Sequence, residues 1–594
     1  MQEIELKFQI PAESLAAVRA ELTRLAPGQA LPPPLVLQAA YFDTPDRKLA
    51  QARSALRVRR EGDDWVQTLK AAGGNTMVRV EDNRPTQPPT QGQPLAPRLS
   101  LHADGPAEHA LRQTLGWQPE HDADGAQCGL VQLYATDMQR TRVQLWVGVG
   151  TLHEGLVELA LDEGHIHAGT GAAALSVVVC ELEIELISGH PQAVIHAGRD
   201  WVERFGLWLD TQTKAHRGDR LARQAIDGDA NAAQPQAFAL GAVRLPARLL
   251  AHEPSDITAE QAWRVGLEAC LGHVTAHMSE LAAWRPAAPG QVDANDADTT
   301  APVAYQWRRG LRVLRALGHL TKDAESAGAG LALSPVASVA LQNACEHAAV
   351  LSRQLGHWRD HDALAWLPRK MQRSGLPWTP LPPGPPPPDG LSSPADVARS
   401  GLATELCLQL LTALLAQSQI SAPAHGHAEV SVDADTGSEA PSTAKASAQA
   451  WLSAGLGRWR QDSRQAARRF ADASPRRAHK LRRQARQLRD VLALFEPLWA
   501  APHPQHASSG HAQAKGQPHK APSAFQNHHR ALSDAVAALG QLQDITVALA
   551  LYRPLRASQP SAKMACDWLK AQRKPLRKKA QRALGRWLKF KAPW

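Results

Sequence analysis

The chain has 594 residues, of which 44% are hydrophobic and 21% are charged, and its formal net charge is +9. This length is too great for one hydrophobic core and predicts two or three domains. The sequence has neither a run of about 18 apolar residues nor a basic region followed by an apolar stretch at the start, which argues against a membrane span and a signal peptide and favours the cytoplasm. Six scattered cysteines, none in a C-x-x-C pair, argue against a zinc site and a disulfide framework.

The charge is divided unevenly along the chain. Residues 451–594 hold 28 Lys and Arg against 7 Asp and Glu, a net charge of +21, so residues 1–450 carry −12. A basic block of this size favours a polyanionic partner such as polyphosphate, nucleic acid or a membrane surface. A solvated basic helix is the alternative.

Short stretches with alternating apolar residues fill the first 220 residues. They are EIELKF (3–8), LRVRR (56–60), VQTLK (66–70), MVRVE (77–81), RTRVQLWV (140–147), LVELALD (156–162) and CELEIEL (180–186). Because side chains alternate across a strand, this period predicts an antiparallel sheet or barrel. We expect two helices to interrupt it, near residues 12–26 and 191–205.

From about residue 256 the apolar residues take helical spacing, as in AWRVGLEACLGHVTAHMSELAAW (262–284). The predicted fold class is therefore α+β multidomain, with a β domain over residues 1–222, a linker over 223–255 and an all-helical domain over 256–594.

Three segments of the helical region are rich in Pro, Gly, Ser or His. They lie near residues 376–396, 423–449 and 502–523. Such compositions bury too little apolar surface to order a chain, so we predict disordered insertions there.

The helical region also contains an internal repeat, which makes two related halves. Tyr305, Arg308, Arg312 and Arg315 have the same spacing as His479, Arg482, Arg486 and Arg489. A second matching piece follows each set, LGHWRDHD (355–362) and LGQLQDIT (539–546). Offsets of 0, 3, 7 and 10 residues fall within about 80° of one another on a helix, so each set forms one basic stripe. Aligned cations repel one another. Either a neighbouring acidic helix or a bound phosphate chain would offset this repulsion.

The predicted strands carry charge of both signs on one face. The acidic positions are Glu3 and Glu5, then Glu158 and Asp162, then Glu181, Glu183 and Glu185, and the basic positions include Arg57 and Arg59, Arg140 and Arg142. We expect a closed barrel to place the acidic rows opposite the basic ones. Carboxylates then bind a hard divalent cation, and the Arg and Lys wall binds phosphate oxygens.

These residues resemble the CYTH family of triphosphate tunnel metalloenzymes. The matching motifs are EIELK at the start, YFDTPD (41–46), LRVR (56–59), WVQTLK (65–70), VELALDEG (157–164), CELEIELISG (180–189) and TKAHRG (213–218). The resemblance implies an eight-stranded antiparallel tunnel and metal-dependent cleavage of triphosphates.

The same resemblance implies roles for individual residues. The implied ligands of Mg²⁺ or Mn²⁺ are Glu3, Glu5, Asp162, Glu181 and Glu183. Glu185 is a secondary candidate for the metal. The implied phosphate-binding residues are Lys7, Arg57, Arg59, Lys70, Arg79, Arg140 and Lys214, with Arg142 and Arg217 as secondary candidates. Catalysis is assigned to Glu3, Glu5, Lys7 and Lys70.

The helical region resembles the CHAD domain, whose signature is a histidine followed by arginines on one helix in two copies. His479 with Arg482, Arg486 and Arg489 matches the signature, whereas Tyr305 replaces the histidine of the first copy. The resemblance implies polyphosphate binding by both stripes, that is, by Arg308, Arg312, Arg315, His479, Arg482, Arg486 and Arg489. The basic stretch over residues 572–590 fits the same role.

The leading hypothesis is an inorganic triphosphatase that cleaves tripolyphosphate to pyrophosphate and phosphate, with a helical module that docks polyphosphate. One alternative is action on thiamine triphosphate or on ATP, including cyclisation. Another is a protein without catalysis that binds polyphosphate or associates with its granules. Nucleic acid is disfavoured as a partner because no recognition fold or aromatic strand face is found, and no membrane partner is expected.

Overall fold

The structure is a computed structural model in which two compact units can be distinguished. It describes residues 2–75, 78–89, 94–105, 108–243, 245, 257–285, 299–326, 328, 331–356, 358, 363–382, 393–421, 446–499 and 523–592. The first unit comprises Met1–Ala237, Leu271–Val303 and Ser393–Leu415. The second comprises Phe238–Cys270, Ala304–Ser392 and Ala416–Trp594.

The first unit contains a closed antiparallel barrel. Its strands are β1 (Gln2–Gln9), β2 (Leu35–Asp43), β3 (Ser54–Glu61), β4 (Asp64–Asn75), β5 (Val78–Pro85), β6 (Val131–Val147), β7 (Gly155–Ala168), β8 (Leu175–Gly189) and β9 (Trp208–Leu209). The strands follow the order β5-β4-β3-β2-β6-β7-β8-β1-β9, and β1 also pairs with β5, which closes the barrel. The predicted count of eight strands is wrong by one, because the two-residue strand β9 adds to β1 at Phe8 and Gln9 without entering the closed ring.

Helices account for most of the remaining described residues. Those associated with the strands are α1 (Leu15–Leu25), α2 (Lys48–Gln51), α3 (Glu108–Leu115), α4 (Gln192–Phe205) and α5 (Lys214–Ala225). Those described beyond residue 256 are α6 (Ala259–Ala283), α7 (Ala301–Ser326), α8 (Pro335–Gln354), α9 (Leu367–Arg373), α10 (Pro394–Arg399), α11 (Gly401–Ser421), α12 (Ala448–Arg468), α13 (Pro475–Leu494), α14 (Ala524–Tyr552) and α15 (Pro560–Leu588). The α+β fold class, with an N-terminal sheet and a helical C-terminal region, is confirmed.

Parts of the predicted insertions fall within the described residues. Residues 376–382 have no helix or strand, Pro394–Arg399 forms α10, and Ala448 begins α12. Residues 383–392, 422–445 and 500–522 lie outside the described residues.

Among the described residues, one helical segment, Ala524–Arg556, is long and apolar enough to cross a membrane by length and composition alone. It includes α14, which packs against α13 and α15. Leu532 and Ala535 of α14 are fully buried, as in a core helix of a helical bundle.

The alternation of β1 determines which face of the barrel wall is apolar. Leu6 and Phe8 are 2% and 0% exposed. They lie on the outer face beneath α4, where a Cβ atom on Gly198 would come within 2.7 Å of the Phe8 ring. The outer surface of the wall therefore packs into a helix-covered core, and Glu5 and Lys7 point into the tunnel.

Helix α5 packs against inward-facing residues of the barrel. Its Leu221 and Ala222 belong to one apolar cluster with Tyr41 and Tyr134, whose rings stack with centroids 4.7 Å apart. The buried Arg47 guanidinium donates to Asp219 of α5 through Nε at 2.9 Å. These contacts fix the helix that carries Lys214 and Arg217.

We expect Gly218→Ala to destabilise the protein by about 1–3 kcal/mol, because a Cβ atom would lie 2.2 Å from Cδ2 of Tyr134 and force the ring or α5 to move. In an open helical position the same change is favourable by about 1 kcal/mol. The matched control is Gly272→Ala in α6, where the added methyl group meets no atom within 4 Å. Thermal unfolding of both variants measures the difference, and equal melting temperatures would contradict the tight contact.

Candidate active site

Inward-facing residues of β1, β6, β7 and β8 form continuous rows across the barrel wall. Asp162 pairs with Arg140 on one side and with Glu181 on the other. Lys7 lies opposite Glu183. On this wall, basic and acidic residues therefore lie in the same rows as direct cross-strand neighbours, and not only in rows opposite one another as expected.

Three carboxylates converge inside the barrel. Asp162, Glu181 and Glu183 each offer an oxygen, and these oxygens lie within 4.8 Å of one another. Asp162 and Glu181 are 0% exposed. Hard divalent cations take several carboxylate oxygens, so these three predicted ligands fit a magnesium-class or manganese-class ion.

Cations surround the three carboxylates. Lys214 Nζ lies 2.7 Å from Asp162 Oδ2 and 2.9 Å from Glu183 Oε1, and it also contacts Glu181. Arg140 forms a two-pronged pair with Asp162, with Nε to Oδ1 and Nη2 to Oδ2 both at 2.6 Å, and it contacts Glu183. The Lys214 ammonium thus lies where the three carboxylates converge.

The ionisation of this cluster follows from its charge pairing. Burial alone would raise the pKa of Glu181, but Arg217, Lys214 and Lys7 lower that pKa to about 2. For Glu183, burial is likewise outweighed by Lys214 and Arg140, which hold the pKa well below the usual range. Both carboxylates are therefore ionised at neutral pH and available to a metal ion.

Lys7 is the most buried of the predicted phosphate ligands whose side chains are described, at 5% exposure. Its Nζ lies 3.5 Å from Glu181 Oε2 and 3.8 Å from Asp210 Oδ2. Burial lowers the pKa of Lys7, although Glu181 and Asp210 oppose the shift. Asp210 was not among the predicted site residues, because it follows the two-residue strand β9 and shows no alternating pattern.

The wall built by β3, β4 and β5 is rich in arginine and lysine. Arg57 Nη2 lies 3.6 Å from Glu81 Oε1, and Lys70 Nζ lies 2.8 Å from Glu81 Oε2. Arg59 pairs with Glu61, and burial together with the Arg57 charge lowers the pKa of Arg59 to about 10. Glu81 was missed as a site residue, although it has the same strand parity as Arg79.

Within the described part of the tunnel, two guanidinium nitrogens are buried without a hydrogen-bond partner among the described residues. They are Nε of Arg57 and Nε of Arg217. A buried unsatisfied N–H is costly, and a phosphate oxygen is the natural acceptor for a guanidinium. The donor set of the tunnel therefore fits an anionic ligand as well as a metal ion.

A second acidic row lies next to the first. Glu5 and Glu158 both pair across strands with Glu185. Burial raises the pKa of Glu185, and the charges of Glu5 and Glu158 raise it further. Glu5 thus faces the tunnel as predicted, in a different row from Glu181 and Glu183. Arg142 is half exposed, 3.9 Å from Glu158.

Two predicted residues can be placed only by their backbones. Glu3 and Arg79 are cross-strand partners in β1 and β5, and their side chains lie outside the described part of the structure. Their roles as metal and phosphate ligands stay predictions.

In the second unit, the two basic stripes meet at one carboxylate. Arg312 Nε from α7 lies 3.1 Å from Asp490 Oδ2, and Arg489 Nε from α13 lies 3.0 Å from Asp490 Oδ1. Asp490 is 3% exposed. Burial alone would raise its pKa, but Arg312 and Arg489 lower it. One arginine of each stripe is therefore neutralised within the protein.

The internal repeat is visible in the contacts of two glycines. A Cβ atom on Gly356 would lie 3.8 Å from Nη2 of Arg308, and one on Gly540 would lie 3.7 Å from Nε and Nη2 of Arg482. The two arginines hold equivalent positions in the two stripes, as do the two glycines in the pieces that follow. Both halves thus place a glycine against the same arginine.

The two residues at the histidine position differ in environment. Tyr305 is 55% exposed. His479 is half-buried, and its pKa is lowered by burial and by neighbouring arginines, with Gln543 opposing the shift.

Comparison with known proteins identifies the first part of the chain. Residues 1–218 match the CYTH domain family. The predicted resemblance of this part of the chain to the CYTH family is therefore confirmed. An inorganic triphosphatase from Haemophilus influenzae is 29% identical over 231 residues, which are 37% of this chain and 54% of that protein. The match thus spans about half the length of this curated relative.

Solved structures give further similarities. A CHAD domain from the plant Ricinus communis is 17% identical and covers 59% of this chain and 96% of its own, with a TM-score of 0.35. A candidate adenylyl cyclase from Hippeastrum, described as having a dominant triphosphatase activity, is 21% identical and covers 36% of this chain and 96% of its own, with a TM-score of 0.26.

Proposed function

We propose that the tunnel of this chain hydrolyses tripolyphosphate to pyrophosphate and phosphate with Mg²⁺ or Mn²⁺. The observation that carries the proposal is the convergence of Asp162, Glu181 and Glu183 within 4.8 Å, ringed by cations inside a closed barrel. A linear triphosphate requires this combination of carboxylates for a metal ion and cations for its oxygens.

Different side chains of the tunnel would bind the metal ion and the phosphate oxygens. Asp162, Glu181 and Glu183 would hold the metal ion, which when bound supplies positive charge that polarises the phosphoryl group. Lys214 contacts all three carboxylates, so it would give up part of these contacts to a bound cation and would then be available to pair with a phosphate oxygen.

The arginine and lysine wall orients the chain of phosphates. Arg57, Arg59 and Lys70 present a dense positive surface. Among the described ion pairs of this wall, Arg57 and Lys70 contact Glu81, and Arg59 contacts Glu61. Preorganised cations at the leaving phosphate stabilise negative charge as it develops, which is the largest electrostatic contribution in phosphoryl transfer. Lys7 and Arg140 complete the set from the carboxylate side.

The helical unit is proposed to be a CHAD-type module that docks longer polyphosphate in the cytoplasm. The repeated stripes support this proposal, with the proposed contacts at Arg308, Arg312, Arg315, His479, Arg482, Arg486 and Arg489. Arg312 and Arg489 also pair with Asp490, which connects the two stripes. The net charge of +21 over residues 451–594 adds long-range attraction for a polyanion. The proposal includes neither a membrane nor a nucleic-acid partner.

The experiment that tests the tunnel is phosphate release from tripolyphosphate by the full chain, with and without Mg²⁺, beside thiamine triphosphate and ATP. We expect fast metal-dependent release from tripolyphosphate. Faster turnover of thiamine triphosphate, or cyclic AMP formed from ATP, would support the corresponding alternative instead. No release from any substrate, with polyphosphate still bound, would identify a polyphosphate-binding protein without catalysis.

We expect Glu5→Gln to abolish this release while the far-ultraviolet circular dichroism stays unchanged. Glu5 is buried and faces the tunnel beside Glu185, and glutamine keeps its shape while removing the charge. Full turnover by the variant would contradict the assignment of Glu5 as a metal ligand.

A further inference from the structure

The second unit contains a cleft that the proposed tunnel chemistry does not use. Its volume is about 330 Å³, and it is bounded by α13, α14 and α15. This volume is at the lower end of the range for small-molecule sites in proteins. The cleft therefore has room for a small organic molecule.

One wall of the cleft is apolar. It is formed by Ala478 of α13 and by Leu539 and Leu542 of α14, with Gln543 and Thr546 beside them. Leu539 is buried and Leu542 half-buried. A phosphate oxygen against this wall would lose its hydration without gaining a hydrogen bond, whereas an organic group would gain from burial.

The opposite wall is basic. It is formed by Arg573, Lys574 and Arg577 of α15. Arg577 Nη2 donates to the carbonyl oxygens of Ala471 and Ala473, both at 2.7 Å, and so is bound to the backbone. Arg573 and Lys574 are exposed and form no ion pair with a carboxylate of the described residues. Two cations are thus directed to this opening without a protein counter-charge.

A helix terminus adds to the positive potential. Helix α13 begins at Pro475, which also lines the cleft. The N-terminus of a 20-residue helix carries a partial positive charge that favours a nearby phosphate. The cap at Ser474 accepts from the Arg477 N–H, so the terminus is held in place.

We propose that this cleft binds a small organic phosphate. The phosphate lies between Arg573 and Lys574 near the start of α13, and the organic body lies on Leu539 and Leu542. The apolar wall distinguishes this site from one for an inorganic polyphosphate chain, which has no apolar part. The cleft shares no residue with the tunnel, so the test of this proposal does not depend on the proposed hydrolysis.

Isothermal titration calorimetry of AMP into the full chain, without added metal, tests the proposal. We expect saturable binding that weakens at least about tenfold in the double variant Arg573→Glu, Lys574→Glu, as for loss of charge-assisted contacts. Leu542→Asn should weaken AMP binding as well, because it removes apolar contact with the adenosine part. Absence of AMP binding, or binding that Leu542→Asn leaves unchanged, would overturn the proposal.

The matched control is the double variant Lys578→Glu, Arg582→Glu, which makes the same change of charge on the exposed surface of α15 outside the cleft. We expect it to keep AMP affinity within about twofold, since screened charges outside the site contribute little. If both double variants weakened AMP binding equally, AMP would be attracted by the net charge of the protein alone, and the proposed site would be wrong. If inorganic phosphate bound as tightly as AMP, the organic group would contribute nothing to binding, and the proposal would be wrong.

Discussion

Replacement of Glu183 by glutamine is expected to lower metal-dependent phosphate release from tripolyphosphate by about 100-fold or more, the usual cost of removing one preorganised electrostatic contact. Glu183 is one of three converging carboxylates and also the partner of Lys214 and Arg140. The variant loses a metal ligand and leaves the two cations with fewer counter-charges. Titration with Mn²⁺ alone, followed by electron paramagnetic resonance, should show weaker binding of the ion in addition to the loss of activity.

The matched control for this prediction is Glu163→Gln. Glu163 lies next to Asp162 on β7 but on the outer face of the barrel, where it pairs with Arg19 across an Nε to Oε2 distance of 3.2 Å. Its replacement removes the same charge from the neighbouring strand without touching the tunnel, so turnover and Mn²⁺ affinity should be unchanged. If the two variants behave alike, the converging carboxylates do not form the metal site.

The strands that were predicted from the sequence are those with one apolar and one polar face. The alternation in β1, β7 and β8 separates Leu6, Leu161 and Leu182 from the charged residues between them, and this separation is visible without a structure. Strand β2 was missed because five consecutive residues from Ala39 to Asp43 are buried, so its two faces do not differ in polarity. Strand β9 is too short to show any period.

The site was predictable only as far as it lies on regular strands. The parity of Glu5, Lys7, Glu181 and Glu183 predicted their common face. Lys214 was predicted from a family resemblance alone, because its helix returns to the barrel from a distant part of the sequence. Asp210 was missed because it has no local pattern, and only the fold brings it to Lys7. Glu81 was missed although its parity placed it on the same face as Arg79, and the fold brings it to Lys70.

In the helical region too, local sequence patterns predicted the helices and their charged faces, whereas contacts between distant residues were not predicted. The spacing of Arg312 and Arg489 predicted their stripes, and the repeat predicted that the two stripes are equivalent. The sequence did not reveal that Asp490 neutralises one arginine of each stripe. The equivalent position in the first stripe is Ala316, so this carboxylate belongs to one half of the repeat only.

Asp490 is buried in the helical unit and is the shared counter-charge of two arginines. Replacement by asparagine leaves two arginine side chains, each 23% exposed, without their shared counter-charge. Breaking a buried ion pair from one side costs about 3–5 kcal/mol. We therefore expect Asp490→Asn to lower the free energy of unfolding by about 3 kcal/mol or more. Urea unfolding followed by far-ultraviolet circular dichroism measures this change as a lower midpoint.

The pH dependence of the same variant separates the ion pair from loss of packing. Because the folded-state pKa of Asp490 is lowered, its stabilisation is present in full above the unfolded-state pKa of about 4 and is lost as the pH falls through the folded-state value. The difference in unfolding free energy between wild type and variant should therefore shrink progressively below about pH 4. Asp567→Asn, which breaks the exposed pair with Lys570, should leave the midpoint of urea unfolding nearly unchanged at neutral pH, because solvent screens an exposed ion pair. A difference for Asp490→Asn that stays constant into acid would mean that the carboxylate contributes by packing and not by joining the two stripes.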